Sequence, residues 1–304
     1  MSADHPPAFR PLTAIYEPSA IQQLEDGRFL IVEDEKEAPF SLLSLDATGA
    51  IRSAPLQPDA DADIGQFNDL EGLVLDCAGY LYATTSHSRN SAGKEKKSRD
   101  KLVRFRIEGD RMVDPRVIDT LKPALLAAHP VLADAAARRD VKDDGGLNIE
   151  ALEIDHDAHH LLIGFRSPLL DQCALVARVN NLASLFDPGT TPAISPELIT
   201  LDLDGGGIRA MAHLPASGGY FLSSGPVDRT PAAFRLWHWN GQHTHPARAM
   251  HLPGIDGFAR TEGISAARIG DRDYLILVSD DGNRDAGREA RYLLIDPLQL
   301  LTAS

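Results

Sequence analysis

The chain has 304 residues, with 30 Lys and Arg against 44 Asp and Glu, a formal net charge of −14 and a pI near 5.2. That balance argues against a general role on nucleic-acid backbones or anionic membranes, which attract clustered positive charge. A hydrophobic share of 43% supplies a substantial core and excludes a disordered chain.

Cys77 and Cys173 are the only cysteines, and neither belongs to a C-x-x-C pair. A disulfide framework is therefore excluded, and a reducing compartment fits. The opening residues include His5, Pro6, Pro7, Arg10 and Pro11 instead of an apolar signal-peptide run, and no apolar stretch approaches membrane-helix length. The expectation is a soluble cytoplasmic protein with one domain over residues 1–304.

In chain order, short apolar runs recur between turn residues: RFLIVED (28–34), GYLYATT (79–85), HLLIGF (160–165), GYFLSS (219–224) and DYLILVS (273–279). Each follows a second short segment: EPSAIQQL (17–24), EGLVLD (71–76), EALEID (150–155), IRAMAHL (208–214) and EGISAARI (262–269). One hairpin is thus written five times. A third strand follows each hairpin, at 40–46, 101–109, 173–180, 234–241 and 290–296, and weaker fourth strands lie at 50–56, 111–119, 197–203 and 246–253. The last unit lacks a fourth strand, which Phe9–Tyr16 can supply by closing a ring and covering an open edge. The expected architecture is all-β, a β-propeller of five four-stranded blades closed by the N-terminal strand. Residues 120–147, rich in Ala and Leu around Pro130, predict a helical insertion. Six blades are the alternative, and two stacked sandwiches would not explain why the units begin alike.

In such a blade the start of the first strand and the end of the second share a face. Five units then bring Glu17, Glu71, Glu150, Arg209 and Glu262, with Asp34, His87, Arg166, Gly225 and Asp280, to one channel mouth. This reading predicts a strongly acidic funnel. Crowded carboxylates must protonate, pair with arginine or bind a cation, and oxygen donors suit a hard cation. The expected metal ligands are Glu17, Glu71, Glu150, Glu262 and Asp280, holding about one divalent ion, Ca²⁺ or Mg²⁺ rather than Zn²⁺. Arg166 and Arg209 are the expected anion clamps, and His87 the expected proton carrier because its ordinary pKa lies near neutrality. The blander reading is that repeated Glu-Gly starts only hydrogen-bond backbone amides, with Gly72 and Gly263 there for tight packing.

The ordered set NDLEGL (68–73), TSHS (85–88), NIEAL (148–152), GFRSPL (164–169), GGGIR (205–209) and TEGI (261–264) resembles the bacterial family filed as domain of unknown function 3616. The likeness runs from about Glu17 to Asp296, with Ala151 standing where the family pattern has glycine. That family name implies no reaction. The Glu-Gly starts are more distantly similar to those of propeller lactonases and phytase-like esterases. A lactonase resemblance implies a channel carboxylate, Asn and Asp around a divalent metal, with Glu17 the positional match to the leading glutamate.

Other signals have plainer readings. His156, His159 and His160 fall in a turn on the opposite face, as do His243 and His245. The loop 88–101 carries Arg89, Lys94, Lys96, Lys97, Arg99 and Lys101 on the funnel side, either as a solvated loop or as a basic flap that draws in an anion. Ser86 and His87 are adjacent, so in an extended strand they point to opposite faces. No G-x-S-x-G, H-E-x-x-H, phosphate-loop or dinucleotide signature is present, and no nucleotide cofactor is expected. Two functions follow: a metal-assisted hydrolase of a small anionic ester, lactone or phosphoester, or a non-catalytic propeller binding a small molecule or protein partner.

Overall fold

The computed structural model describes residues 7–34, 38–45, 51–59, 64–140, 144–229, 233–258 and 260–302. It contains five antiparallel sheets, four with four strands and one with five. Blade 1 is Pro18–Gln23, Phe29–Glu33, Phe40–Leu45 and Ile51–Pro55. Blade 2 is Leu70–Leu75, Leu81–Thr85, Leu102–Glu108 and Arg111–Ile118. Blade 3 is Asn148–Ile154, Leu161–Ser167, Ala174–Val179 and Ile199–Leu201. Blade 4 is Gly207–Leu214, Gly219–Gly225, Arg235–Trp239 and Arg248–His251, and blade 5 is Thr261–Ile269, Arg272–Ser279 and Arg291–Ile295. The five first strands touch one another in a closed circle, which is the five-bladed propeller expected.

The apolar runs look unbroken because both faces of a blade are packed. In blade 1, Phe29 and Ile31 join the core shared with blade 5, whereas Leu30 and Val32 join the core shared with blade 2. Side chains alternate faces, so one run of four apolar residues feeds two cores. Farther from the axis the same alternation meets solvent, and Arg111–Ile118 interleaves exposed positions with half-buried ones, only Met112 being buried.

Closure uses less of the N-terminus than Phe9–Tyr16. Arg10 and Pro11 pair with Tyr292 and Arg291, and two further bonds, Leu12 N–H to Ala290 O and Ala290 N–H to Ile15 O, each span 2.8 Å. Leu12 and Ile15 are the anchors, both fully buried. The C-terminal segment also has a place that sequence reading did not find. Leu301 and Thr302 pair with His251 and Met250, so they edge blade 4 instead of completing blade 5.

The helical insertion is two helices, α1 (Leu121–Ala128) and α2 (Pro130–Ala137), with Pro130 opening α2 where its missing N–H costs nothing. Leu121, Leu125, Leu132 and Ala135 are buried against the core between blades 2 and 3. Residues 141–143 of the predicted insertion lie outside the described residues. No helix among the described residues is long and apolar enough to cross a membrane.

Candidate functional site at the channel mouth

Every first strand breaks register near its start, and that of blade 3 does so twice, the first time at Asn148/Ile149. The shifts fall at Pro18/Ala20, Leu70/Gly72, Ile149/Ala151, Ile208/Ala210 and Thr261/Gly263. A bulge leaves one extra residue outside the ladder and re-aims its side chain. The five extra residues are Ser19, Glu71, Glu150, Arg209 and Glu262. Blade 1 therefore contributes a serine, and Glu17, expected as its ligand, stands two residues upstream and does not line the cavity.

The residue after each bulge is Ala20, Gly72, Ala151, Ala210 or Gly263, and close backbone explains the small size. A Cβ on Gly72 would lie 2.9 Å from Leu152 N, and one on Gly263 would lie 3.0 Å from Ala20 Cα. Ala151 is tolerated because its strand partner is Gly164, where an added Cβ would come within 2.9 Å of the Ala151 methyl. The packing glycine has moved to the neighbouring strand.

The bulges open on a cavity of about 750 Å³. Among the described residues its carboxylates are Asp34, Asp69, Glu71, Asp140, Glu150, Glu262 and Asp280. Facing them are Arg89, Lys96 and Arg99 of the flap, Arg139 of the insertion, and Arg166, Arg209, Arg229 and Arg260. Cations thus outnumber carboxylates by one, so the expected acidic funnel is corrected. The flap residues Ser88, Arg89, Asn90, Ser91, Lys96 and Arg99 form cavity wall, as its sharper reading required.

Arg209 is the centre of the arrangement. Its Nη1 donates to Glu150, 2.8 Å from Oε2 and 2.9 Å from Oε1, and its Nη2 bonds Glu262. Glu150 also accepts from Asn148 Nδ2 at 2.8 Å and lies 3.3 Å from Arg166 Nη1. Burial alone would lower the Arg209 pKa, but the Glu150, Glu262 and Glu71 carboxyls hold it above its ordinary value. Burial raises the Glu150 pKa against the pull of Arg209 and Arg166. At blade 2, Asp69 pairs with Arg99, and Ser88 Oγ donates to Asp69 at 3.3 Å.

Glu71 and Asp280 differ from these. Neither side chain makes a hydrogen bond or ion pair with a described residue, though both are half-buried in the cavity wall. Burial, then repulsion by Asp69, Glu150, Asp34 and Glu262, pushes Glu71 well above the carboxylate range. Burial and Glu262 raise Asp280 to about 7, with Arg260 opposing them.

Four of the five expected metal ligands, Glu71, Glu150, Glu262 and Asp280, line this cavity, and Glu17 does not. Among the described residues no group of three or more His, Cys, Asp or Glu is placed to hold an ion. A cation would have to share Glu150 and Glu262 with Arg209, whose positive charge already occupies the space between them. His87 is also misplaced for proton transfer at the mouth. It is fully buried, lies outside the cavity lining, and approaches Thr84 Oγ1 at 3.1 Å through Nε2. A left-handed backbone, φ 54°, breaks the strand alternation assumed for it. Burial drives its pKa down to about 3, which favours the neutral ring.

A second cavity, of about 300 Å³, lies at the opposite ends of the first strands. His156 lines it and His160 Nδ1 sits 2.5 Å from Asp155 Oδ2, a local turn pair. Glu153 is 9% exposed there and accepts the Ile154 N–H at 2.7 Å and the His213 N–H at 2.6 Å. Burial outweighs those bonds and raises its pKa to about 7. A raised carboxyl favours the protonated fold, so its contribution is present at acid pH and lost as pH rises through about 7. Glu153→Gln should therefore shrink the loss of stability between pH 5 and 8 by roughly 3 kcal/mol at most. Urea melts at the two pH values check this, and an unchanged difference would contradict the assignment.

No family model matches the chain, and no curated protein does. The finer likeness to domain of unknown function 3616 rests on its motifs alone. Solved structures do match. One is a glycoside hydrolase GH43 β-1,3-galactosidase solved with galactodeoxynojirimycin, at 10% identity and TM-score 0.52, covering 94% of each chain. A GH43 protein from Bacillus licheniformis matches at 12% identity and TM-score 0.51, over 96% of this chain and 57% of that one. The Malassezia sympodialis allergen Mala s 1 matches at 11% identity and TM-score 0.50, over 93% and 92%. At such identities the likeness is one of fold. The chain is a propeller of the kind found in hydrolases and in proteins of other description.

Proposed function

We propose that the protein binds a small anionic molecule at the channel mouth and hydrolyses it as an ester, lactone or phosphoester. The observation that carries this is the lining of the cavity. A chain of net charge −14 gathers eight cationic side chains against seven carboxylates there, and burial with the neighbouring carboxylates pushes the Glu71 pKa up, which favours its neutral form. The mouth is then locally positive on an acidic protein, which steers and holds an anion. GH43 enzymes carry hydrolysis on this fold, and they contribute no residue assignment here.

Lys96 and Arg139 are both exposed where they line the cavity, so reversing them leaves the core intact. The Lys96→Glu/Arg139→Glu protein should show KM raised about tenfold and a flatter salt dependence, with kcat unchanged. The assay is a panel of anionic esters, lactones and phosphoesters, alongside thermal shift by inorganic phosphate and citrate. Anion stabilisation without turnover would favour the non-catalytic binding protein. Absence of both turnover and stabilisation would overturn the reading.

A further inference from the structure

We propose that Glu71 is the acid that protonates the leaving oxygen and that Asp280 is the base that takes the proton of the attacking water; this assignment rests on the hydrolytic reading above. The argument is elimination within one cavity. Of the bulge residues, Ser19 has no carboxyl and Arg209 is a cation. Glu150 is saturated by Asn148, Arg166 and Arg209, and Glu262 is bonded to Arg209. Asp69 is tied to Arg99, and Asp34 and Asp140 each have a partner of their own. Glu71 and Asp280 keep their carboxyls in the cavity wall without a hydrogen bond or ion pair among the described residues.

Their places in the circle are complementary. Glu71 belongs to blade 2 and Asp280 follows the second strand of blade 5, the two neighbours of blade 1. The Glu150–Arg209–Glu262 bridge spans blades 3, 4 and 5, leaving these carboxyls on the side where the bulge holds only Ser19. A further pointer to a ligand is Asn148, 5% exposed and in the same wall, whose Oδ1 has no hydrogen-bond partner among the described residues. It is a spare acceptor for a hydroxyl. The environments also separate the two roles. Burial and four neighbouring carboxyls favour the protonated form of Glu71, whereas Arg260 beside Asp280 helps it ionise near pH 7.

In the step itself, a water oxygen bonds to the acyl carbon or phosphorus as its proton passes to Asp280. The bond to the leaving oxygen breaks, and that oxygen takes the Glu71 proton. Glu71 ends as carboxylate and Asp280 as acid, and exchange of one proton with solvent restores both. No oxidant, reductant or metal enters the balance.

The test compares Glu71→Gln with the parent protein on substrates of one acid, one set bearing alkyl leaving groups and one set 4-nitrophenyl. Alkyl turnover should fall about 10²- to 10⁴-fold in kcat with KM nearly unchanged, and the alkaline limb of the pH profile should disappear. The 4-nitrophenyl substrates should lose far less, because their leaving oxygen needs no proton. Asp280→Asn should remove the acid limb near pH 7. Glu71→Asp, which keeps an acid, should retain the alkaline limb, and Tm at pH 8 monitors folding throughout. Equal losses on both leaving groups, or full activity of Glu71→Gln, would overturn the assignment while leaving the hydrolytic reading standing. A parent protein inactive on every substrate overturns both.

Discussion

Arg209→Met should lower stability by about 3–5 kcal/mol at pH 8, the largest loss expected from any single change at the mouth. Methionine approximates the length of the side chain and removes its charge. Arg209 is 6% exposed and Glu150 4%, so water cannot replace the lost partner. Glu150 keeps Arg166 and Asn148, but Glu262 loses the guanidinium that binds it. The sign with pH is definite. Burial already raises the Glu150 pKa and Arg209 opposes it, so without the guanidinium the penalty is small below the ordinary carboxylate pKa and grows as pH rises. Denaturant melts at pH 5 and pH 8 should therefore diverge more for the variant than for the parent. Adding Glu150→Gln and Glu262→Gln should recover most of the loss, since a buried charge network replaced as a whole leaves no orphaned charge. A variant as stable as the parent at pH 8 would mean that the bridge contributes nothing.

A chain beginning at Glu17 should lose the closed fold. Truncation removes the burial of Leu12 and Ile15, worth about 1.5–3 kcal/mol each, and the two 2.8 Å bonds to Ala290. It also exposes the edge of Arg291–Ile295, an open template for another chain. Against a typical domain stability of about 5–15 kcal/mol, the expected product is unfolded or self-associated. Size-exclusion chromatography with light scattering and circular dichroism report both outcomes. Leu12→Ala is the milder probe, expected to cost about 2–5 kcal/mol while keeping the strand pairing. A monomeric truncated protein with an unchanged melting curve would show that the closure is not needed.

Five hairpins, their order and the closing strand were legible in the sequence because strand alternation and turn residues are local properties. FLIV at 29–32 must present two apolar faces wherever it sits, and repetition five times leaves few ways to bury them all. Glu71, Glu150, Arg209 and Glu262 were legible as one set for the same reason, since each opens a repeat. What failed depended on register and on distance along the chain. A bulge is decided by the ladder of hydrogen bonds between two strands, so Glu17 and Ser19 could not be told apart by counting. His87 leaves the mouth because its backbone turns left-handed, which no residue pattern around it announces. The net charge of the cavity was decided by the tertiary structure alone. Arg89 and Arg99 come from the flap, Arg139 from the insertion, and Arg229 and Arg260 from loops of blades 4 and 5. Electrostatic sign is a sum over what space brings together, and these side chains are neighbours only once the ring has closed.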